Sequence, residues 1–137
     1  MGFDIDAHVE IKISGVWHHY STPRIDRNYD MFAYLGGEFG NDRKKHFSLK
    51  GLPSDASVAT KIGYEYRKED LFDPSWLSAK EITEYAIAYP VVSCMPPGKW
   101  KPYQLGFLYG NTMENFLEYR EDYPSEIEDL RMVYWFI

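Results

Sequence analysis

Phe3-Asp4-Ile5-Asp6-Ala7-His8-Val9-Glu10-Ile11-Lys12-Ile13 alternates apolar and polar residues without a break. Successive side chains of a strand point to opposite faces, so period two over this length reads as a strand with one face in a core. Ser14-Gly15 then offers the glycine that a two-residue hairpin turn needs for its positive φ, and Val16 to Tyr20 reads as the return strand. At the other end of the chain, Leu130 to Ile137 is nearly continuous aromatic and aliphatic, the composition of a strand covered on both faces. Strands at both ends with helical patterns between them predict an α+β fold. The hairpin and the C-terminal strand share one antiparallel or mixed sheet, packed by about four helices in a single domain spanning 1–137.

The helical patterns are separate and punctuated. Asn28 to Leu35 carries Met31, Phe32 and Leu35 at helical spacing and stops at Gly36-Gly37. Ser54 is placed to cap a second helix through about Tyr66, with Gly63 a weak point in its last turn. Ser78 and Glu81 form a capping-box pair ahead of Ile82, Tyr85, Ala86 and Tyr89, and Pro90 closes that third helix. Thr112 caps a fourth, with Met113, Phe116 and Leu117 on one side and Pro124 at its end. Gly36 to Pro53 reads as an exposed loop, and Pro96 to Tyr109 as a turn-rich aromatic segment with a short strand near Leu105 to Tyr109.

Composition narrows the function classes. The 137 residues hold 15 Lys+Arg against 21 Asp+Glu, a formal charge of 15 − 21 = −6, and 45% are hydrophobic. A chain of this size buries roughly two thirds of its unfolded surface and needs neither disulfides nor a structural metal. Cys94 is the one cysteine, so no intramolecular disulfide and no Cys-rich zinc site can form, which predicts a reducing cytosolic compartment. The first residues are acidic where a signal peptide needs a basic start, and no run approaches the ~20 apolar residues of a membrane span. Arg43-Lys44-Lys45 is the best basic cluster, too short for a broad nucleic-acid footprint. No motif implies a cofactor.

Several linked motifs resemble a family of small, mostly uncharacterised proteins encoded by bacteriophages and prophages. Met1-Gly2-Phe3-Asp4-Ile5-Asp6 is similar to that family's opening Met-Gly-Cys-Asp-Ile-His, and Arg27-Asn28-Tyr29-Asp30-Met31-Phe32-Ala33-Tyr34-Leu35 to its Arg-Asn-Tyr-x-x-Phe-Ala-x-Leu. Gly51-Leu52-Pro53-Ser54-Asp55-Ala56-Ser57 resembles Gly-Leu-Pro-x-Asp-x-Ser, and Ser75-Trp76-Leu77 a Ser-Trp-Leu ahead of a helix. Leu130-Arg131-Met132-Val133-Tyr134-Trp135-Phe136 resembles a terminal strand of the Val-Arg-x-Val-Phe-Trp-Phe type. The resemblance implies a phage origin and brings no established activity with it. Phe3 and Asp6 stand where the family has Cys and His. Asp70-Leu71-Phe72-Asp73-Pro74 leads into Ser75-Trp76-Leu77 where the family has a His-containing run.

Candidate chemistry is sparse. Asp4, Asp6 and His8, with Glu10, share one face of the first strand and are the candidates for a divalent cation, against the simpler reading of a solvated outer face. His18 and His19 point to opposite faces and cannot serve one site. There is no Gly-x-Ser-x-Gly elbow, phosphate loop or His-Glu-x-x-His, and Cys94 has no neighbouring His to activate it.

The best binding set is Arg24, Arg27, Asn28 and Tyr29. Guanidinium forks grip phosphate bidentately, Asn both donates and accepts, and Tyr stacks on a base. Trp100 and Tyr103 in the aromatic segment could complete a pocket for a purine. The expectation is therefore a cytosolic, homo-oligomeric accessory protein. It would bind and sequester a phosphate-bearing, nucleotide-like small molecule, such as a host immune signal. An inhibitor docking its acidic surface on a basic host defence protein is the alternative, and a metal-assisted hydrolase using Asp4, Asp6 and His8 a third reading.

Overall fold

The computed structural model describes residues 2–22, 29–36, 47–81 and 128–137. The alternating stretch forms β1 (Ile5–Ile13), which turns through Ser14 and Gly15 into β2 (Val16–Ser21). Ser14 and Gly15 adopt φ of +50° and +77°, both left-handed as the tight hairpin turn that matches strand twist requires. The Gly15 N–H donates to the Glu128 carboxylate at 2.8 Å, fastening the turn to the approach of the last strand.

β4 (Asp129–Phe136) pairs antiparallel with β1, so the first and last strands lie side by side in the middle of the sheet. The order is β2-β1-β4-β3, and every pairing is antiparallel. β3 (Phe72–Ser78) is an edge strand that the sequence reading did not anticipate. Pro74 lies inside it, and proline is tolerated in a sheet mainly at an edge or a bulge. Here both apply: the register shifts between Phe72 and Ser75, and Asp73 takes φ +52°.

The two sheet faces bury different chemistry. On one, Ile5, Ala7 and Val9 of β1 join Leu130, Met132, Tyr134 and Phe136 of β4 and Leu77 of β3 in the core. α1 (Tyr29–Tyr34) covers this face, setting Phe32, Ala33 and Leu35 into it. The Phe32 and Phe136 rings lie 5.3 Å apart, and the Tyr134 hydroxyl donates to the Leu35 carbonyl at 2.6 Å. Burial pushes the Tyr134 phenol well above its ordinary pKa, so it remains a donor. Gly36, at φ +105°, ends the helix where a Cβ would stand 2.8 Å from the Phe47 carbonyl. That approach, with the left-handed φ, leaves room for glycine alone.

α2 (Val58–Arg67) covers the opposite face. Its N-cap is Ser57, whose hydroxyl accepts from the Thr60 N–H, and not the Ser54 expected from sequence. The cause is tertiary. Ala56 N–H closes a turn on the Pro53 carbonyl, while Asp55 and Ser57 are drawn to side chains of β4 and β1. The Ser78–Glu81 capping box is present, with Ser78 N–H donating to the Glu81 carboxylate and Glu81 N–H to the Ser78 hydroxyl. The helix read after Ser78 is described only over its start, residues 79–81, while its remainder, the helix read after Thr112 and the strand near Leu105 lie outside the described residues. The fold is α+β.

Candidate functional site

The face under α2 gathers nearly all the described polar chemistry. Antiparallel register sets Glu10 directly opposite Arg131, and residues so placed are the natural side-chain pairs of a sheet. Arg131 Nε donates to Glu10 Oε1 at 2.8 Å, while the Ser57 N–H and the Thr60 hydroxyl donate to Oε2 at 2.7 and 2.8 Å. Glu10 is 0% exposed and Arg131 4%. Burial alone would push the Glu10 carboxyl up, but the bonds from Ser57, Thr60 and Arg131 outweigh it and hold the group below its ordinary range. Because Ser57 caps α2, the Glu10 carboxylate fills the position at the start of that helix where its dipole favours an anion.

Arg131 reaches further. Its Nη1 donates to Asp55 Oδ1 at 2.9 Å, and this bond leads the causes that hold the Asp55 carboxyl low. Its guanidinium stacks on Trp17 with Cζ 4.0 Å from the ring centre, and Trp76 lies 5.9 Å away on the other side. Lys50 Nζ sits 3.9 Å over Trp76 and pairs with Glu81, while Lys12 Nζ is 5.8 Å from Trp17. The result is a row Lys12–Trp17–Arg131–Trp76–Lys50, in which cations and indoles alternate across the sheet. Arg131 and Lys50 are each neutralised by acids.

Further along β1, His8 Nδ1 and His19 Nε2 are 3.1 Å apart, and the same His19 nitrogen is 3.2 Å from the Thr22 hydroxyl. The His8 ring lies 5.0 Å from Trp135, whose indole N–H donates to Asp6 at 3.2 Å. Burial first, and then the charge of His19, lower the His8 pKa, with Asp6 and Glu10 acting the other way. His8 is therefore neutral at neutral pH. Gly63 of α2 explains how the helix comes so near: a Cβ there would stand 3.1 Å from His8 Nε2.

The candidate residues from sequence fall into two groups. Asp6, His8 and Glu10 do share one face, but that face is covered by α2 and is not the solvated surface of the simpler reading. Asp4 is exposed beyond the start of β1, where its backbone exchanges hydrogen bonds with Ile137. Asp6 turns to Trp135 and His8 to His19, so Asp4, Asp6 and His8 do not converge. Among the described residues no group of three or more His, Cys, Asp or Glu is placed to hold a metal. His18 and His19 take opposite faces, as expected, with His18 exposed and His19 half-buried.

Arg24, Arg27, Asn28, Trp100, Tyr103 and the Arg43-Lys44-Lys45-His46 run lie outside the described residues. Tyr29 is the first residue of α1, and its side chain also lies outside them. Sequence reading missed Asp55, Ser57, Thr60, Trp17 and Arg131 as a connected set. Arg131 carried a usable signal, because a cation inside a strand that is otherwise apolar requires a buried acid, and the first strand offers Glu10.

α2 also presents an open hollow of about 500 Å3 on its outer side, lined by Val58, Lys61, Ile62, Glu65 and Tyr66. No described helix is long and apolar enough to cross a membrane. Comparisons with protein-family models, curated proteins and solved structures found no match.

Proposed function

We propose that this chain works by binding, and that it sequesters a phosphate-bearing, nucleotide-like small molecule. The observation that carries the reading is the close spacing in sequence of Arg24, Arg27, Asn28 and Tyr29, which run from just after β2 to the first residue of α1. Two guanidinium groups, an amide and a phenol ring supply what a phosphate and a base require. Trp100 and Tyr103 add stacking surface. The state of the sheet's own ionisable groups favours binding over turnover. Glu10 is held ionised by three neighbours and is a weak base, and the His8 imidazole is engaged by His19.

The same reading takes the protein as a phage-type accessory protein of the host cytosol, homo-oligomeric, with further helices after Ser78 and Thr112. A nucleotide-derived host immune signal fits the ligand chemistry. The test is native mass spectrometry of the untagged protein after incubation with infected and uninfected host lysate. A nucleotide-sized mass released unchanged on denaturation is the expected result. Protein that carries no small molecule from either lysate, or that releases a converted product, overturns it.

One observation favours a second reading, inhibition of a host defence protein. The net charge of −6 suits steering toward a basic partner. That complex would weaken with salt in a lysate pull-down.

A further inference from the structure

α2 is amphipathic in the wrong sense for a helix that only covers a sheet. A surface helix ordinarily turns its aliphatic stripe inward and its polar residues out. Here the inward positions are Thr60, which bonds Glu10, Gly63, which admits His8, and Tyr64, whose ring lies 5.6 Å from Trp135. Val58, Ile62 and Tyr66, spaced four apart, face away and are 74%, 64% and 84% exposed. They line the open hollow described above. Three large apolar side chains in a row on one exposed helix face mark an interaction surface.

We propose that this face of α2 docks on α2 of a second copy of the same chain, the two helices running antiparallel about a two-fold axis. Charge selects this occupant. Lys61 and Glu65 flank the stripe on one side, a turn apart. A two-fold contact is self-complementary. Antiparallel helices centred near Ile62 set each Lys61 beside the partner's Glu65, while Val58 meets the partner's Tyr66. A parallel two-fold pair would carry this flank to opposite edges of the contact and leave Lys61 and Glu65 with no partner across it. Glu65 otherwise has an exposed contact with Lys68 at 3.8 Å, which leaves it free to turn. A ten-residue helix is only about 15 Å long, so the contact lies at the small end of specific interfaces and its dimer dissociates on dilution. The inference is independent of the ligand proposed above, since none of the ligand residues lies on α2.

Sedimentation velocity of the full chain from about 10 μM to about 1 mM tests it, a range that spans weak association. The wild type shifts from monomer to dimer across that range. Ile62→Glu replaces an exposed residue with a good helix former, so the far-ultraviolet circular dichroism stays unchanged while the dissociation constant rises at least about tenfold. Lys61→Glu and Glu65→Lys each weaken the dimer, and the two together restore it. A wild type that stays monomeric throughout overturns the proposal and points to another part of the chain as the cover. So does a dimer indifferent to Ile62→Glu, or a charge pair whose double reversal fails to restore association.

Discussion

Arg131 donates its Nε–H to the Glu10 carboxylate at 2.8 Å straight across the β1–β4 ladder, with both side chains withdrawn from water. The contact ties the first strand to the last, and the same carboxylate anchors the start of α2 through Ser57 and Thr60. One acid therefore coordinates three elements distant in sequence.

Removing one member of such a pair strands a buried charge. Arg131→Met should lower the unfolding free energy by about 3–5 kcal/mol, and adding Glu10→Gln should recover part of that loss by removing the charge left behind. Urea denaturation of the single and double variants measures both. A change below about 1 kcal/mol for Arg131→Met would mean that the pair behaves like an exposed one.

The acid limb of stability follows from the direction of the carboxylate shifts. Glu10 and Glu81 titrate below their ordinary 4.5, and Asp55 below its ordinary 3.8. The unfolded chain thus takes up protons first as pH falls. The contribution of these carboxylates to stability is fully present above pH 4.5 and is lost progressively below it. Glu10→Gln should make this limb shallower in denaturation curves recorded across the acid range. An unchanged limb would show that Glu10 does not set the acid dependence.

A second step lies nearer neutrality. His8 titrates below its ordinary 6.5, so protonation again favours the unfolded chain and stability falls as pH drops below 6.5. One such group contributes a slope of at most about 1.4 kcal/mol per pH unit. His8→Gln should flatten the profile just below pH 6.5. A wild-type profile already flat there would contradict the shift.

Gly63 and His8 should be coupled. Glycine to alanine within a helix ordinarily gains up to about 1 kcal/mol. A Cβ at Gly63 instead meets His8 Nε2 at 3.1 Å, and that ring is held between His19 and Trp135. Gly63→Ala should therefore fail to stabilise the wild type and should stabilise a His8→Ala background by about 1 kcal/mol. Additive effects would show that the ring moves aside freely.

The strands that carry a regular pattern were legible in the sequence. Alternation located β1, and the apolar run from Leu130 located β4 buried on both faces. β3 was not legible, because Pro74 and the left-handed Asp73 interrupt any period, and only its place at a sheet edge with a bulge makes it a strand. The sequence points to Ser54 as the cap, because nothing local reveals that the Glu10 carboxylate accepts from the Ser57 N–H. For the same reason the polar face of β1 read as solvated. Only α2, with Gly63 fitted over His8, turns it into an interior.

In the proposed function Arg27 and its neighbours hold a phosphate-bearing ligand, while the Glu10–Arg131 pair holds the fold. Calorimetric titration of the small molecule released from wild-type protein back into wild-type and Arg27→Ala chains tests it most directly. The expected result is tight binding to the wild type, at least about a hundredfold weaker binding to Arg27→Ala, and identical urea midpoints for the two proteins. Equal affinity for both chains, with folding intact, would contradict it.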